Sequence, residues 1–116
     1  MKNLIFLGSK AIGLECLDYL FNQSFSQKYH ILGVLTNNRG KEIKEFCNRN
    51  SLILFDNLDQ ILSLNNIDIG ISVQYHEILK KKHIIKAKEI FINLHMAPLP
   101  EYRGCNQFSF CIINSD

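Results

Sequence analysis

The sequence lacks several features that would place it in a specialised class. No apolar stretch approaches the roughly 20 residues that a membrane-spanning helix needs, and the N-terminal apolar run ends at Gly8 without a cleavage-type pattern. We therefore expect a cytoplasmic protein that does not enter a membrane. The chain also lacks a large excess of either charge, because it has 13 basic and 11 acidic residues and a formal net charge of +2. The run Lys80, Lys81 and Lys82 is too short for a nucleic-acid footprint, so we expect no nucleic-acid partner on charge grounds.

Paired cysteines are absent as well. The four cysteines have no C-x-x-C spacing, so the pattern indicates neither a zinc knuckle nor a redox dithiol, and we expect buried thiols. His76 and Glu77 are followed by His83, whereas a zinc protease motif needs its second histidine one helical turn beyond the first. The sequence therefore predicts no metal site.

Hydrophobic residues, in contrast, are plentiful. They make up 47% of the 116 residues, against 21% charged residues. A disordered chain contains far fewer apolar side chains than this, and a chain of this length has room for one core. We expect a single domain over residues 1–116.

Short apolar runs alternate with segments of helical periodicity along this domain. Strands are predicted at residues 2–7, 30–36, 52–54, 67–73 and 90–94, and helical segments follow Gly8 and occupy 41–47, 58–64, 77–88 and 106–114. This alternation predicts an α/β fold, a Rossmann-like three-layer sandwich with a mostly parallel sheet. Because no strand follows the last helical segment, we expect the sheet to be truncated at its C-terminal side.

Three loops follow predicted strands at the edge where open parallel sheets bind ligands, namely residues 8–13, 74–79 and 95–104. The first has glycines spaced G-x-x-x-x-G, without the lysine of a phosphate-binding loop or the G-x-G pair of a dinucleotide site. It reads as a tight turn whose helix amides are able to hold an anionic group. Ser9 and Lys10 in this loop are predicted substrate contacts.

The third loop begins with Asn93-Leu94-His95 at the end of a predicted strand. Strand alternation puts Asn93 and His95 on one face and Leu94 on the other, so an amide and an imidazole converge. Pro98 and Pro100 then fix the backbone beside them. A histidine at a strand end also occurs as a satisfied structural residue, and the spacing alone leaves that alternative open.

Residues 93–104, which read NLHMAPLPEYRG, resemble the signature loop of the formyltransferases that use 10-formyltetrahydrofolate. That loop has Asn-x-His, a short linker, Leu-Pro, and an aromatic and a basic residue before glycine. Residues 72–79 resemble the folate-binding loop of the family, and a looser likeness covers the whole chain. The resemblance implies that Asn93 and His95 are catalytic.

The resemblance also implies binding residues. The folate contacts would be Tyr75, Glu77, Ile78, Leu79, Ile84 and Phe91, although the apolar members, Phe91 above all, would equally suit the core. Met96, Ala97 and Pro98 join Ser9 and Lys10 as expected contacts of the amine substrate.

The family has a third catalytic group, an aspartate that lies beyond Asp116 by the family's spacing. A truncated module that binds folate or a nucleotide without catalysis, or that only packs against a partner chain, therefore remains an alternative. A generic nucleotide-binding Rossmann domain with no link to folate is a third interpretation, and assembly as a homodimer is left open. Methionyl-tRNA enzymes carry a long basic insertion where this chain has only residues 37–41, and glycinamide ribonucleotide enzymes have a more glycine-rich first loop. We therefore expect the acceptor to be a small-molecule amine, a nucleotide-linked amino sugar, with methionyl-tRNA and glycinamide ribonucleotide as alternatives.

Overall fold

The computed structural model describes residues 1–37, 40–75, 77, 79–98 and 106–113, of which 25–27, 95–98 and 106–113 are described through their backbone alone. Strands and helices alternate through most of this chain. In order they are β1 (Lys2–Gly8), α1 (Lys10–Gln27), β2 (Tyr29–Leu35), α2 (Lys41–Arg49), a 3-10 helix (Leu58–Ser63), β3 (Ile69–Val73), α3 (Lys81–Ile84), β4 (Ile90–Pro98) and β5 (Asn106–Ile113). Within the described residues no helix is long and apolar enough to cross a bilayer.

The five strands form one sheet in the order β2-β1-β3-β4-β5. The first four strands run parallel to their neighbours, and β5 runs antiparallel to β4. From β1 the chain crosses first to β2 on one side and later to β3 on the other, which creates a topological switch point between β1 and β3. The predicted α/β, Rossmann-like fold with a mostly parallel sheet is confirmed.

The sheet is covered on both faces at β1, whereas Ile71 of β3 and Ile92 and Leu94 of β4 are only half-buried on the α1 side and line an open apolar cavity. The residues of β1 alternate between two layers, so that Leu4 and Phe6 pack with α1 and α2, while Ile5 and Leu7 pack with the 3-10 helix. All four side chains are at most 2% exposed. A strand buried on both faces needs a continuous apolar run, and this requirement made β1 predictable from its sequence.

Three predicted elements differ from the structure. The strand expected at residues 52–54 is a single bridge between Leu54 and Val34. The helix expected over residues 77–88 is only the four-residue α3. The helix expected over residues 106–114 is wrong, because this segment forms β5 against β4. Its residues Phe108, Phe110 and Ile112 also alternate with period two, and phenylalanine and isoleucine favour strands.

Candidate active site at the carboxyl edge of the sheet

The loops that leave β1 and β3 are joined by hydrogen bonds at the switch point. The Ser9 hydroxyl donates to the carbonyl oxygen of Gln74 at 2.6 Å, and the Ser9 amide donates to the carbonyl oxygen of Val73 at 3.4 Å. Gly8 makes this approach possible, since a Cβ there would lie 2.7 Å from the Phe6 ring and 3.2 Å from the Val73 carbonyl oxygen. The two loops therefore form one connected edge.

Each of the two loops contains a non-glycine residue in the left-handed backbone region. Lys10 has φ 64° and Gln74 has φ 52°. The Gln74 amide donates to the Leu94 carbonyl oxygen at 3.1 Å, so hydrogen bonds at both its amide and its carbonyl hold it in this conformation. Left-handed non-glycine residues carry a backbone cost that surrounding contacts must offset, and they concentrate at functional sites.

The predicted catalytic pair lies in the middle of β4, where the pairing with β3 ends at Leu94. The predicted strand end at Leu94 is wrong, because β4 continues to Pro98 against β5. Leu94 packs against the core on the α1 side, whereas Phe91 lies in the core on the opposite side. Strand alternation therefore puts the half-buried Asn93 on the side of Phe91, where it is in register with Ser72 of β3. The backbone of His95 continues β4 and pairs with Ser109 of β5. The His95 side chain lies outside the described part, so the convergence of the two groups stays a prediction.

The loop after β3 is anchored to the core by an aromatic side chain. Tyr75 is half-buried and packs against the core on the 3-10 helix side. Burial raises the pKa of its phenol, and the Glu77 carboxylate adds to the rise. Glu77 itself is exposed, Leu79 and Ile84 are partly buried against the same core, and Ile78 lies outside the described residues.

Phe91 is the predicted folate contact that the structure places deepest. It is 1% exposed, and its ring lies where a Cβ on Gly70 would come within 2.5 Å of it. The ring thus occupies the space above a glycine on the neighbouring strand. This position matches the core alternative that the sequence left open.

The predicted substrate contacts are divided between buried and exposed positions. Ser9 is 1% exposed with its hydroxyl bonded to Gln74, while Lys10 is exposed. Met96, Ala97 and Pro98 form the last part of β4, and their side chains lie outside the described part. The structure thus brings Ser9 and Lys10 to the same sheet edge as the end of β4.

Sequence reasoning missed a second polar contact beside the β3 loop. His83 of α3 is 3% exposed, and its Nε2 lies 2.8 Å from Oδ1 of Asp59 on the 3-10 helix. Its Nδ1 accepts a hydrogen bond from the Lys80 amide at 3.0 Å. The bond from His83 holds the pKa of Asp59 below its ordinary value, and the Lys82 ammonium nearby acts in the same direction. The two partners are 24 positions apart in the sequence, so no local sequence pattern predicts that they form a hydrogen bond.

Cysteine and metal chemistry add little to this site. Cys47 is buried, which raises the pKa of its thiol to about 11, and Cys16 is half-buried. The other two cysteines lie outside the residues with described side chains. Across the described residues, no three histidine, cysteine or acidic side chains group in a way that could hold a metal ion.

The fold and the loops at its switch point define a Rossmann-like α/β domain, a class that binds its ligands beyond the carboxyl ends of the strands. Sequence relatives narrow this class. The chain is 30% identical to methionyl-tRNA formyltransferase from Clostridioides difficile over 97% of this chain, and 30% identical to that from Lactobacillus delbrueckii subsp. bulgaricus over its whole length. It spans 41% of each of these relatives. No protein-family model matches the chain.

Solved structures agree with these relatives in fold. A 4-N formyltransferase from Francisella tularensis superposes with a TM-score of 0.63 at 10% identity, over 99% of this chain and 51% of that one. Phosphoribosylglycinamide formyltransferase from Brucella melitensis superposes with a TM-score of 0.61 at 16% identity, over 90% of this chain and 62% of that one. Homoserine dehydrogenase from S. aureus also superposes, with a TM-score of 0.57 at 19% identity, over 84% of this chain and 27% of that one. Fold alone therefore does not separate formyltransferases from dehydrogenases. With the sequence relatives, the resemblance of this chain to the N-terminal domain of the formyltransferase family is confirmed.

Proposed function

We propose that this domain transfers a formyl group from 10-formyltetrahydrofolate to a primary amine. The observation that carries the proposal is the Asn93-Leu94-His95 sequence in β4, an inner strand, at the point where its parallel pairing with β3 ends. The sequence relatives, all formyltransferases by name, support the same reaction class. The Tyr75 loop beside this point of β4 is the proposed site for the pterin of the donor.

The proposed chemistry follows from the two side chains. The amine nitrogen attacks the formyl carbon, the bond from that carbon to N10 of the folate breaks, and one proton moves from the amine to N10. Negative charge develops on the formyl oxygen during the attack, and the Asn93 amide would donate a hydrogen bond to it. His95 would take the proton from the amine and pass it to N10, since an imidazole titrates in the useful range. The products are a formamide and tetrahydrofolate.

Two observations bear on the acceptor amine, and they point to different substrates. The sequence relatives are named as methionyl-tRNA enzymes. The alignment with the Lactobacillus enzyme has 134 positions for the 116 residues of this chain, so at least 134 minus 116, or 18, positions have no counterpart here. By the family resemblance, methionyl-tRNA enzymes carry a long basic insertion where this chain has only residues 37–41, and this difference supports a nucleotide-linked amino sugar as the acceptor. Methionyl-tRNA is the second candidate.

The test is a formylation assay on the full chain with 10-formyltetrahydrofolate as donor. The acceptors are a nucleotide-linked amino sugar, methionyl-tRNA and glycinamide ribonucleotide, and mass spectrometry detects the formamide. We expect His95→Ala to lower turnover by about 10²- to 10⁴-fold, the range that general acid–base groups contribute. His30→Ala, at an exposed histidine near the start of β2, is the matched control and should leave turnover unchanged.

The outcomes separate the proposal from its alternatives. Equal turnover by the unaltered chain and His95→Ala would remove the role given to the imidazole. Folate binding without any formylated product would favour a module that binds without reacting. Binding of nucleotides but not folate would favour a generic Rossmann domain.

A further inference from the structure

The segment 74–80, which connects β3 to α3, is fastened at both ends. At its start, Ser9 donates to the Gln74 carbonyl at 2.6 Å and Gln74 donates to the Leu94 carbonyl at 3.1 Å. At its end, the Lys80 amide donates to Nδ1 of His83 at 3.0 Å. The first fastening joins the segment to the loops of the sheet, and the second joins it to a buried imidazole.

The hydrogen bonds of His83 determine which of its nitrogens carries the proton. Nδ1 accepts from the Lys80 amide, so it cannot itself carry hydrogen. The proton of the neutral ring therefore sits on Nε2 and is donated to Asp59 Oδ1, 2.8 Å away. The imidazole thus accepts a hydrogen bond from the Lys80 amide and donates one to the Asp59 carboxylate on the 3-10 helix.

The surroundings favour a polar purpose for this residue over simple packing. His83 is 3% exposed, and an aliphatic side chain would fill such a position without a polar group to satisfy. It belongs to a helix of four residues, which is too short to hold its own geometry in water. Lys80 is the N-cap of α3, and its carbonyl accepts from the His83 and Ile84 amides. The ring bond to the Lys80 amide completes this cap, and the ring bond to Asp59 ties the capped helix to the 3-10 helix.

The charged groups around the ring are few and balanced. Asp59 is its direct partner, and the Lys82 ammonium lies 3.7 Å from the same carboxylate oxygen. Glu77 and Lys80 line a cavity of about 310 Å³ with these residues. Because Glu77 and Lys80 belong to the connection from β3 to α3, this cavity lies between that connection and the His83–Asp59 pair.

We propose that His83 is a positioning residue that, with Asp59, holds Lys80 in place at the end of the connection from β3 to α3 for binding the formyl donor. The inference rests on the proposed function, because that connection is the proposed pterin site. His83 would not touch the reacting atoms. Its effect would reach the donor through the Lys80 amide.

Two substitutions of His83 separate its two hydrogen bonds. The side-chain oxygen of His83→Asn falls close to the place of Nδ1 and keeps an acceptor for the Lys80 amide, while the bond to Asp59 is lost. The side-chain amide of His83→Gln reaches the place of Nε2 and keeps a donor for Asp59, while the Lys80 amide loses its acceptor. If the Lys80 amide is the contact that matters for the donor, only His83→Gln should weaken donor binding strongly.

The experiment measures binding of 5-formyltetrahydrofolate, an unreactive folate, by calorimetry on the full chain, together with thermal unfolding. We expect His83→Gln to raise the dissociation constant about tenfold and His83→Asn less than about threefold. In the formylation assay His83→Gln should raise KM for the donor in the same proportion, while kcat at saturating donor stays unchanged. Faster hydrogen exchange at the Lys80 amide in His83→Gln alone would report the lost acceptor. A merely structural role would lower the melting temperature of both variants equally without this split.

Asp59→Ala guards against a variant of His83 that fails to fold. The Asp59 side chain is 65% exposed, so its removal should leave the core intact, and we expect about a threefold rise in the dissociation constant. Asp56→Ala, at an exposed aspartate three positions earlier, is the matched control and should bind folate normally. Unchanged folate affinity in both His83→Gln and Asp59→Ala would overturn the positioning role while leaving the proposed function standing. No folate binding by the unaltered chain would overturn the proposed function and this inference together.

Discussion

The two ends of the parallel sheet use polar residues in different ways. At the amino end, polar groups satisfy one another: Asp68 accepts from the Asn3 amide at 2.8 Å, the Asn3 side chain donates to the Asn66 carbonyl at 3.0 Å, and Lys2 pairs with Glu89. Such an arrangement closes the strand starts and contributes to stability alone.

At the carboxyl end, the polar groups hold loops in conformations that cost free energy. The Ser9 hydroxyl donates its hydrogen bond to the Gln74 carbonyl, and both Lys10 and Gln74 have a left-handed backbone. Lys28, just before β2 at the amino end, and Ser51 also have a positive φ, so a left-handed backbone does not by itself mark function. What sets the carboxyl end apart is that the hydrogen bonds of Ser9 and Gln74 hold the strained residue beside the predicted catalytic strand. The comparison predicts that substitutions at the carboxyl end change turnover and substitutions at the amino end change only the free energy of unfolding.

The sharpest form of this comparison uses two asparagines at opposite ends of the sheet. Asn93→Ala should lower turnover by about 10²- to 10³-fold, the usual loss of one donor to a developing oxyanion, because the amide would no longer stabilise the formyl oxygen. Asn3→Ala should keep full turnover and lose about 1 kcal/mol of stability with its bond to the Asn66 carbonyl. Steady-state kinetics and urea unfolding of both variants measure the contrast. If Asn3→Ala lost as much turnover as Asn93→Ala, the division between the two ends would be wrong.

A smaller effect is expected where the two loops at the switch point meet. Ser9→Ala removes the donor to the Gln74 carbonyl and leaves that acceptor without its bond, at a cost of about 1–3 kcal/mol in the free energy of unfolding. Because Gln74 begins the proposed pterin loop, folate affinity should fall as well. Ser63→Ala, whose exposed hydroxyl donates to the Gln60 carbonyl, is the matched control.

Thermal unfolding and folate calorimetry of the two serine variants test this step. Loss of stability in Ser9→Ala with unchanged folate affinity would show that the strained backbone at Gln74 is independent of ligand binding. The carboxyl end would then resemble the amino end at this position.

The sequence was informative wherever burial imposes a simple pattern. Strands β1 and β2 and the start of β4 follow the predicted runs within one residue or so, because parallel strands covered on both faces must be apolar throughout. The predicted run 67–73 begins two residues before β3, since Ile67 is fully buried but precedes the first paired residue. An apolar run of this kind can be recognised from adjacent residues alone, without knowledge of distant partners.

The features that the sequence did not give depend on distant partners or on competing periods. His83 stood out only as a poor match to a metal motif, because its partner Asp59 lies on another element. Ser9 was predicted to contact substrate, and nothing local indicated that its hydroxyl would bond to Gln74, 65 positions away. Residues 106–113 satisfy both a helical and a strand period, and pairing with β4 decides between them.

The smallest predicted effect belongs to the ion pair at the amino end. Lys2 and Glu89 are 56% and 44% exposed, so solvent screens their attraction and Glu89→Gln should cost less than about 1 kcal/mol of stability. The loss should shrink further when thermal unfolding is repeated in 1 M salt, where the screening length falls to about 3 Å. Turnover should equal that of the unaltered chain, because the pair lies at the end of the sheet opposite the proposed active site. A change in turnover on Glu89→Gln would mean that the amino end communicates with the crevice across the length of β4, and the separation of roles between the two ends would have to be abandoned.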